Sequence, residues 1–386
     1  MPLFERFVPE RVWRRLRPDA VLVWSDERVR RALAWYYMVM RDVAPAKFLL
    51  ARIVEFPGDP RRLSTEAILE EKKRLRRELE GMRRRALRGG YSLEEYWRDA
   101  RAAPEHSLLE ADAVLAWRLA SPCVLCERRC GIDRRRRLGA CRLDLKTYVH
   151  SWFHHLGEEA PLVPSGTIFY GGCNFACVYC QNYDVSQTAP RRGEVVDAKR
   201  LAVMQRLLRL HGARNINHVG GDPTPSLHTI VESLLYLDVN VPQLWNSNMY
   251  MSTEAMEILV DIIDIWLPDF KYGNDRCALR LSAAPNYTGV VKRNITVASK
   301  HGDMIIRHLV LPGHVDCCSI PVIRWIAGNL PRGRVLVNIM GQYRPEHLAA
   351  KYPRRWPEMA RPAEPREVWR VRLEAEKLGL IYEPVS

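Results

Sequence analysis

The sequence predicts an α/β fold built around a parallel sheet. From residue 165 onward, six apolar segments rich in β-branched residues alternate with helix-like segments. The six predicted strands are residues 166–170, 216–220, 241–246, 263–267, 304–311 and 334–339. Strands separated in this way pair in parallel through right-handed crossovers, so the pattern allows a doubly wound sheet or a partial barrel.

The predicted helices lie between these strands. They cover residues 198–210, 226–237, 253–262, 275–281 and 321–330, and Gly212 supplies a glycine stop after the first of them. In folds of this kind the loops at the carboxyl ends of the strands carry the reactive side chains. We therefore expect the chemistry of this protein at those ends.

Residues 1–115 form a predicted helical N-terminal extension. Its clearest helix begins at Thr65, ends near Leu87 and is followed by Gly89-Gly90. One narrow face of this helix is apolar and contains Ile68, Leu75, Leu79, Met82 and Ala86. The simplest interpretation is that this face packs against a neighbouring part of the protein.

Length and cysteine content restrict the class of protein. A chain of 386 residues can bury a large core and fits two domains, or one barrel with an appendage. No segment approaches the run of about 18 apolar residues that crosses a membrane, and residues 1–6 lack the apolar region of a signal peptide. Seven of the ten cysteines form two tight clusters, which indicates metal ligation in a soluble, cytoplasmic protein rather than a secreted disulfide framework.

The positive charge is concentrated in the first part of the chain. Residues 1–150 contain 33 basic and 22 acidic side chains, whereas the remaining residues contain 26 and 23. A basic segment can bind nucleic acid or an acidic protein, or it can be a solvated helix surface. No recognised nucleic-acid-binding motif accompanies the charge, so nucleic acid is a partner that the charge allows but no motif supports.

Three cysteines directly follow the first predicted strand. Cys173, Cys177 and Cys180 have the spacing C-x3-C-x2-C. A structural zinc site and an ordinary iron–sulfur cluster each take four protein ligands, so three thiolates on one loop predict a cluster with one open iron. The alternative is a zinc site or three unrelated core cysteines, but apolar packing gives no reason for this spacing at a strand end.

This loop, residues 173–182, resembles the signature of the radical S-adenosylmethionine (radical SAM) superfamily, and Tyr179 fits the aromatic position before the third cysteine. The resemblance implies a partial (β/α)6 barrel at residues 161–386 and a 4Fe-4S cluster whose open iron binds S-adenosylmethionine. It further implies an enzyme in which the reduced cluster cleaves this cofactor. The resulting 5′-deoxyadenosyl radical would abstract hydrogen from a substrate.

The resemblance also implies cofactor-binding residues at the later strand ends. Gly220-Gly221-Asp222-Pro223 resembles the Gly-Gly-Glu-Pro motif of the superfamily, whose backbone binds the cofactor's amino group, and glycine permits that close approach. Aspartate replaces glutamate here, so we expect contacts from the glycines rather than from the Asp222 side chain. The further predicted residues are Asn246, Ser247, Asn248, Asp269, Lys271 and Arg307. Asp269 and Lys271 resemble the Asp-x-Lys motif of glycyl-radical-enzyme activases.

A second cluster lies in residues 116–160, a predicted metal-binding module. Its ligands, spaced C-x2-C-x3-C-x10-C, are Cys123, Cys126, Cys130 and Cys141. Four thiolates can hold either zinc or an auxiliary iron–sulfur cluster, and the sequence leaves both open. The arginines nearby, which are Arg128, Arg129 and Arg134 to Arg137, are expected to favour thiolates. We interpret Cys277, Cys317 and Cys318 as small core residues.

Residues 150–159 contain three histidines followed by Glu158 and Glu159. These side chains could bind metal or move protons, or they could cap and pack the joint between two modules. Together with the cysteine leader and the segments 245–250 and 267–272, they resemble the uncharacterised homologues of pyruvate formate-lyase activating enzyme over about residues 120–350. That resemblance implies a protein or peptide substrate and a reductant such as ferredoxin or flavodoxin.

Two other functions remain open at this point. A radical-based RNA-modifying enzyme would use the basic N-terminal segment, and its RNA binding would weaken steeply with salt. An iron–sulfur electron-transfer protein would need neither an open iron nor cofactor-binding residues at the strand ends. Release of methionine and 5′-deoxyadenosine distinguishes an enzyme from an electron carrier.

Overall fold

Helices make up most of the first third of the chain. The computed structural model describes residues 6–386, so residues 1–5, which include most of the segment considered for a signal peptide, lie outside the described residues. The eight N-terminal helices are α1 (Glu10–Leu16), α2 (Asp19–Leu22), α3 (Glu27–Ala32), α4 (Ala34–Met40), α5 (Lys47–Ile53), α6 (Thr65–Leu87), α7 (Leu93–Asp99) and α8 (Leu108–Ala120).

Helix α6 has the bounds that the sequence predicts. The Ser64 side chain accepts a hydrogen bond from the backbone N–H of Ala67 and caps the helix. Ile68, Leu75, Leu79 and Ala86 are buried, which confirms that the apolar face packs inward. Helix α8 continues past residue 115, where the sequence predicts a domain boundary. The domain boundaries near residues 115 and 160 stay predictions.

An eight-stranded sheet follows. Its strands are β1 (Thr147–His155), β2 (Ser165–Tyr170), β3 (Glu194–Val196), β4 (Ile216–Gly220), β5 (Gln243–Ser247), β6 (Ile265–Pro268), β7 (Asp303–Leu309) and β8 (Val335–Met340), in the order β3-β1-β2-β4-β5-β6-β7-β8. The six predicted strands correspond to β2 and β4 to β8, and their parallel pairing is confirmed. Strand β1 pairs antiparallel with β2 on one side and with β3 on the other. Strands β1 and β3 thus extend the sheet beyond the prediction. Closure into a partial barrel stays a prediction.

The connections between the parallel strands are helical. They are α9 (Ala198–Leu210), α10 (Leu227–Tyr236), α11 (Thr253–Ile262), α12 (Asp275–Ser282), α13 (Tyr287–His301) and α14 (Ile320–Asn329), and α15 (His347–Lys351) and α16 (Pro365–Lys377) follow β8. The sequence did not predict α13, because its valines, isoleucine and threonines are weak helix formers. Within residues 6–386, no helix is both long and apolar enough to cross a membrane.

Alternation along the parallel strands separates an apolar level from a polar level. Side chains on one face of a strand recur every two residues. Four such side chains join one buried apolar cluster: Leu244, Leu267, Ile305 and Leu336. The residues two positions further along the chain are all polar: Asn246, Asp269, Arg307 and Asn338. The sheet therefore presents a ring of polar groups towards its carboxyl edge.

The N-terminal helices pack at the opposite edge of the sheet. Leu33 and Tyr36 belong to the same apolar cluster as the strand residues. The indole N–H of Trp35 donates to Asp264 Oδ1 at 2.8 Å, and the backbone N–H of Tyr36 donates to Asp303 Oδ2 at 2.8 Å. Asp264 and Asp303 stand at the starts of β6 and β7, so the helical segment and the sheet share one core.

A buried group of charges fixes α6 to α8 and α11. Lys72 of α6 forms ion pairs with Asp112 and with Asp261, the second at 2.6 Å, and all three side chains are completely buried. Arg76 Nε lies 2.6 Å from Asp261 Oδ1. Removing one member of a buried ion pair leaves an uncompensated charge in a medium that cannot solvate it.

We expect Lys72→Ala to lower the free energy of unfolding by about 3 to 5 kcal/mol, because the carboxylate of Asp112 loses its cation. Lys73→Ala is the matched control on the same helix: Lys73 pairs with Glu70 at the surface, where an ion pair contributes about 0 to 1 kcal/mol. Urea unfolding of the anaerobic protein measures both. Equal destabilisation by the two variants would contradict the role of the buried group.

Candidate active site

The three-cysteine loop is held by the end of a neighbouring helix. It follows β2 directly and contains Cys173, Cys177 and Cys180. The backbone N–H groups of Ala176 and Val178 donate to the carbonyl oxygens of Ser282 and Leu281 at the end of α12, at 3.0 and 2.9 Å. These carbonyls would otherwise lack hydrogen-bond partners at the helix terminus, so the loop and the helix end supply each other's hydrogen bonds.

Hydrogen bonds reach the sulfur atoms. Ser282 Oγ donates to Cys177 Sγ at 3.0 Å, and the backbone N–H of Phe175 and Asn248 Nδ2 donate to Cys173 Sγ at 3.3 and 3.7 Å. Burial raises the pKa of Cys173 and raises the pKa of Cys177 to about 11. Without a metal these thiols therefore stay protonated, and metal binding would release the protons.

The glycine turn after β4 packs against the three-cysteine loop. A Cβ on Gly221 would lie 2.0 Å from the carbonyl oxygen of Gly172, and one on Gly220 would lie 2.2 Å from that of Tyr170. The N–H groups of Gly221 and Asp222 donate to those same two residues, Tyr170 and Gly172, each at 2.9 Å. The turn's N–H groups therefore hold the three-cysteine loop against the end of β4.

The Asp222 side chain has a larger role than the sequence indicates. Its buried carboxylate accepts hydrogen bonds from Ser247 Oγ at 2.9 Å, from the backbone N–H of Asn248 at 3.0 Å and from that of Thr224 at 2.9 Å. Burial outweighs these bonds and raises the pKa of Asp222. This carboxylate therefore joins the ends of β4 and β5 and fixes their spacing.

Arg307 on β7 is surrounded by two glutamates. Its Nε and Nη2 atoms donate to the two oxygens of Glu159 at 2.7 Å each, and Nη2 also donates to Glu158. Nη1 lies 3.4 Å from Asn246 Oδ1. Burial opposes the charged guanidinium, but the two carboxylates raise the pKa of Arg307 well above its ordinary value. Arg307 thus stays charged, and the three charged groups carry one net negative charge.

Asp269 and Lys271 form a separate ion pair. Lys271 Nζ lies 2.5 Å from Asp269 Oδ2, and the lysine backbone N–H donates to Tyr287 OH at 2.9 Å. Burial lowers the pKa of Lys271, but Asp269 and the nearby Cys177 sulfur outweigh it and raise the pKa overall. A fixed positive charge therefore lies close to a cysteine that the sequence predicts as a metal ligand.

One cavity of about 250 Å³ collects these groups. It is lined by all three loop cysteines and by every residue predicted to bind the cofactor: Gly220, Gly221, Asp222, Asn246, Ser247, Asn248, Asp269, Lys271 and Arg307. Gln181, Asn182, Met340 and Tyr343 also line it. In the described part of the chain, the Nδ2 atom of Asn246 is buried without a hydrogen-bond partner.

Comparison with known proteins identifies the family. Residues 167–326 match the model of the radical SAM superfamily. An uncharacterised protein of Methanocaldococcus jannaschii, MJ0674, is 39% identical over 327 residues, which cover 83% of this chain and 91% of that protein. The chain belongs to the radical SAM superfamily. Membership implies an enzyme that carries out S-adenosylmethionine-dependent radical chemistry.

Solved structures of Streptococcus suis SuiB are more distant from this radical SAM protein. SuiB bound to precursor peptide SuiA is 12% identical with a TM-score of 0.40, and the match covers 54% of this chain and 46% of SuiB. SuiB bound to S-adenosylmethionine has the same identity and TM-score and a coverage of 54% and 47%. The chain spans about half the length of SuiB.

The cavity has the donors and acceptors that the radical SAM cofactor needs. Three thiols can ligate a cluster and leave one iron open. Gly220 and Gly221, whose type of backbone carbonyl can accept from an amino group, line this cavity together with Asn246, whose type of amide can donate to an oxygen. The glycines fit this use, since no side chain separates the turn from its neighbours.

The four-cysteine module of this radical SAM protein lies beside the three-cysteine loop. Cys126 forms an isolated bridge with Met251, just beyond β5. Arg128 Nε donates to the carbonyl oxygen of Asn174 at 2.9 Å. The module therefore lies next to the predicted cluster, and its binding of a metal stays a prediction.

Arg134 favours a thiolate at Cys141 in the four-cysteine module, as the sequence predicts, but burial outweighs it. Burial raises the pKa of Cys126 to about 12, although a backbone hydrogen bond from Arg128 lowers it. Burial also raises the pKa of Cys141, although Arg134 opposes it. The hydrogen bonds of Arg134 go to the carbonyl oxygens of Asp144 and Pro225. Arg135, Arg136 and Arg137 are exposed.

The histidines and glutamates of residues 150–159 have different roles. His150 Nε2 lies 3.0 Å from the carbonyl oxygen of Pro190, and His154 Nδ1 accepts from the backbone N–H of Val8 at 3.1 Å. Both histidines thus contact backbone, whereas His155 Nδ1 lies 3.2 Å from Glu158 Oε1. Glu158 and Glu159 instead reach the interior and bind Arg307.

The interpretation of the last three cysteines as core residues is only partly correct. Cys277 and Cys318 are buried, but Cys317 is exposed. All three lie together with His314, which the sequence analysis did not single out. They form a separate group outside the cavity.

Sequence reasoning missed the residues that support the cavity. Asn217 Nδ2 donates to Glu158 Oε1 at 2.9 Å, and Asn338 Nδ2 donates to Glu159 Oε1 at 2.7 Å. Both asparagines interrupt apolar strands, which is the signal that could have found them. Ser282, the donor to Cys177, carries no such signal, because it stands at an ordinary helix end.

We expect Gly221→Ala to lower the iron bound per chain after anaerobic reconstitution to less than half that of the parent, because the new methyl group would push Gly172 and the three-cysteine loop away. Gly81→Ala on α6 is the control. A Cβ there meets nothing within 4 Å, and alanine stabilises a helix by about 1 kcal/mol relative to glycine. Unchanged iron in the Gly221 variant would show that the turn does not position the loop.

Proposed function

We propose that this protein reductively cleaves S-adenosylmethionine at a 4Fe-4S cluster held by Cys173, Cys177 and Cys180. When bound, the cluster and cofactor would supply a 5′-deoxyadenosyl radical that abstracts hydrogen from a protein or peptide substrate. The observation that carries the proposal is the cavity shared by the three cysteines and all nine predicted cofactor-binding residues.

The chain's own groups adjust the sulfur ligands. Ser282 Oγ and Asn248 Nδ2 donate to two of the three sulfurs, and Lys271 lies near Cys177. Hydrogen bonds and positive charge near thiolates stabilise the more negative, reduced form of a cluster. These residues would therefore make the cluster easier to reduce.

The charges below the cavity favour a cationic ligand. Arg307, Glu158 and Glu159 together carry one net negative charge, so Arg307 is an orienting donor rather than an anion-binding site. A buried net negative charge attracts a sulfonium group. Lys271 is balanced by Asp269 alone and stands on the cysteine side of the cavity, where it can meet the cofactor's carboxylate.

An activase-like reaction is the finer part of the proposal. It is supported by the Asp-x-Lys pair in the cavity and by the resemblance of residues 120–350 to homologues of pyruvate formate-lyase activating enzyme. A glycyl-radical partner that acquires a radical only with this protein and S-adenosylmethionine would support it. The reductant would be a ferredoxin or flavodoxin, and the ten unpaired cysteines favour a cytoplasmic location.

RNA modification is the second candidate, because residues 1–150 carry most of the net positive charge. Many of these arginines and lysines pair with acidic side chains of the same chain, as Arg76 does with Glu257 and Asp261. RNA retention that falls steeply between low and high salt would favour this function.

The metal of the four-cysteine module is proposed to be zinc or an auxiliary iron–sulfur cluster. Iron and zinc counts on anaerobic protein decide between them. Electron paramagnetic resonance before and after adding S-adenosylmethionine separates a cluster with an open iron, whose spectrum changes, from one with four cysteine ligands.

We expect Cys177→Ala to reduce release of methionine and 5′-deoxyadenosine to the level without enzyme, because two thiolates cannot hold the cluster beside the cofactor. Cys126→Ala should retain cleavage with a chemical reductant and lose mainly stability or electron supply, since Cys126 does not line the cavity. Chromatographic measurement of both products tests this. Cleavage by the Cys177 variant at the parent's rate would refute the proposed function.

A further inference from the structure

Four metal-binding side chains converge outside the cavity. Their ligand atoms all lie within 4.8 Å of one another: Cys277, His314, Cys317 and Cys318. Cys277 is on α12, His314 follows β7, and the two adjacent cysteines lie in the single π-helical turn that precedes α14. The group thus joins two separate connections of the sheet.

The distances match a tetrahedral ion. Cys317 Sγ lies 3.9 Å from Cys277 Sγ and 3.8 Å from Cys318 Sγ, and His314 Nδ1 lies 3.5 and 3.3 Å from the sulfurs of Cys277 and Cys317. Zinc bonds of about 2.3 Å to sulfur and 2.0 Å to nitrogen place tetrahedral ligands about 3.8 Å apart for two sulfurs and about 3.5 Å apart for sulfur and nitrogen. A zinc ion therefore fits with little movement.

Disulfide formation or simple packing does not explain this arrangement. The sulfurs are nearly twice as far apart as the roughly 2 Å of a disulfide. His314 is 6% exposed, and its Nε2 atom has no hydrogen-bond partner among residues 6–386. The other ring nitrogen, Nδ1, faces the sulfurs of Cys277 and Cys317, so Nδ1 is the atom that would bind the ion.

Neighbouring groups suit a metal centre. Glu358 Oε1 lies 3.7 Å from His314 Nε2, on the side of the ring away from the sulfurs, where carboxylates commonly orient metal-binding histidines. Asn274 Nδ2 lies 3.6 Å from Cys318 Sγ and also donates to the Cys317 carbonyl at 2.8 Å. Such donors stabilise thiolate charge.

We propose that Cys277, His314, Cys317 and Cys318 bind one zinc ion. Three cysteines and one histidine fill all four tetrahedral positions, so this site is structural and leaves no position for a substrate. It stands independently of the proposed function, because none of its ligands lines the cavity.

The ion would fix the helix that supports the three-cysteine loop. Helix α12 carries Cys277 in its first turn, and its end supplies Ser282 Oγ to Cys177 and the carbonyl oxygens that hold Ala176 and Val178. Binding of Cys277 to a site shared with the turn before α14 would hold α12 at both ends. The zinc would thereby position the three-cysteine loop from outside.

The test compares zinc content by mass spectrometry in anaerobically purified full-length proteins. Cys317→Ser should lose one zinc per chain, and His314→Ala should lose the same amount. Asp316→Ala, an exposed residue of the same turn that pairs with Arg370, should keep the parent's zinc. The four-cysteine module is unchanged in every variant, so any metal it holds contributes equally to variant and parent and cancels from their difference in zinc content.

Parental zinc in Cys317→Ser overturns the proposal, and so does loss of iron in place of zinc. If the variants do not fold, zinc X-ray absorption of the parent decides. A nitrogen ligand from histidine beside the sulfurs supports the site, because the four-cysteine module would contribute sulfur alone. Zinc that is absent, or ligated by sulfur alone, rejects it. Neither outcome depends on cleavage of S-adenosylmethionine.

Discussion

The interior of this protein depends on a buried guanidinium held by two carboxylates. Arg307 binds Glu158 and Glu159, and Asn217, Asn338 and Asn246 lie within hydrogen-bond distance of the three charged groups. These amides come from β4, β8 and β5. A buried ion pair is costly unless its remaining lone pairs and protons find partners, and the asparagines provide them. The network therefore ties four parallel strands to the loop after β1 and sets the floor of the cavity.

Above this floor, the close approach of two backbone segments determines the position of the three-cysteine loop. Gly221 permits β4 to meet Gly172, and Asp222 then fixes the segment after β5, which supplies Asn248 to Cys173. These contacts therefore form a continuous series around the cavity. Because interiors are closely packed, a displaced backbone at one position cannot be absorbed locally.

Much of the fold follows from the sequence because buried parallel strands are continuous apolar segments. Placement near the carboxyl ends of the strands, together with the resemblance to radical SAM proteins, is why Asn246, Asp269 and Arg307 could be found. Strand β1 was missed, since its histidines suggested chemistry rather than a strand. The group around Cys277 and His314 was beyond sequence reasoning, because 37 positions separate these two ligands and no short spacing relates them.

The attachment of the first helices to β6 and β7 has a consequence for synthesis on the ribosome. Asp264, the partner of Trp35 and of the Lys47 backbone, emerges 229 residues after Trp35. Until then the groups of the early helices that face the sheet, such as the Trp35 indole and the Tyr36 backbone N–H, lack their native partners. Docking of these helices on the sheet is therefore a late step of synthesis, and exposed surface at that stage favours aggregation.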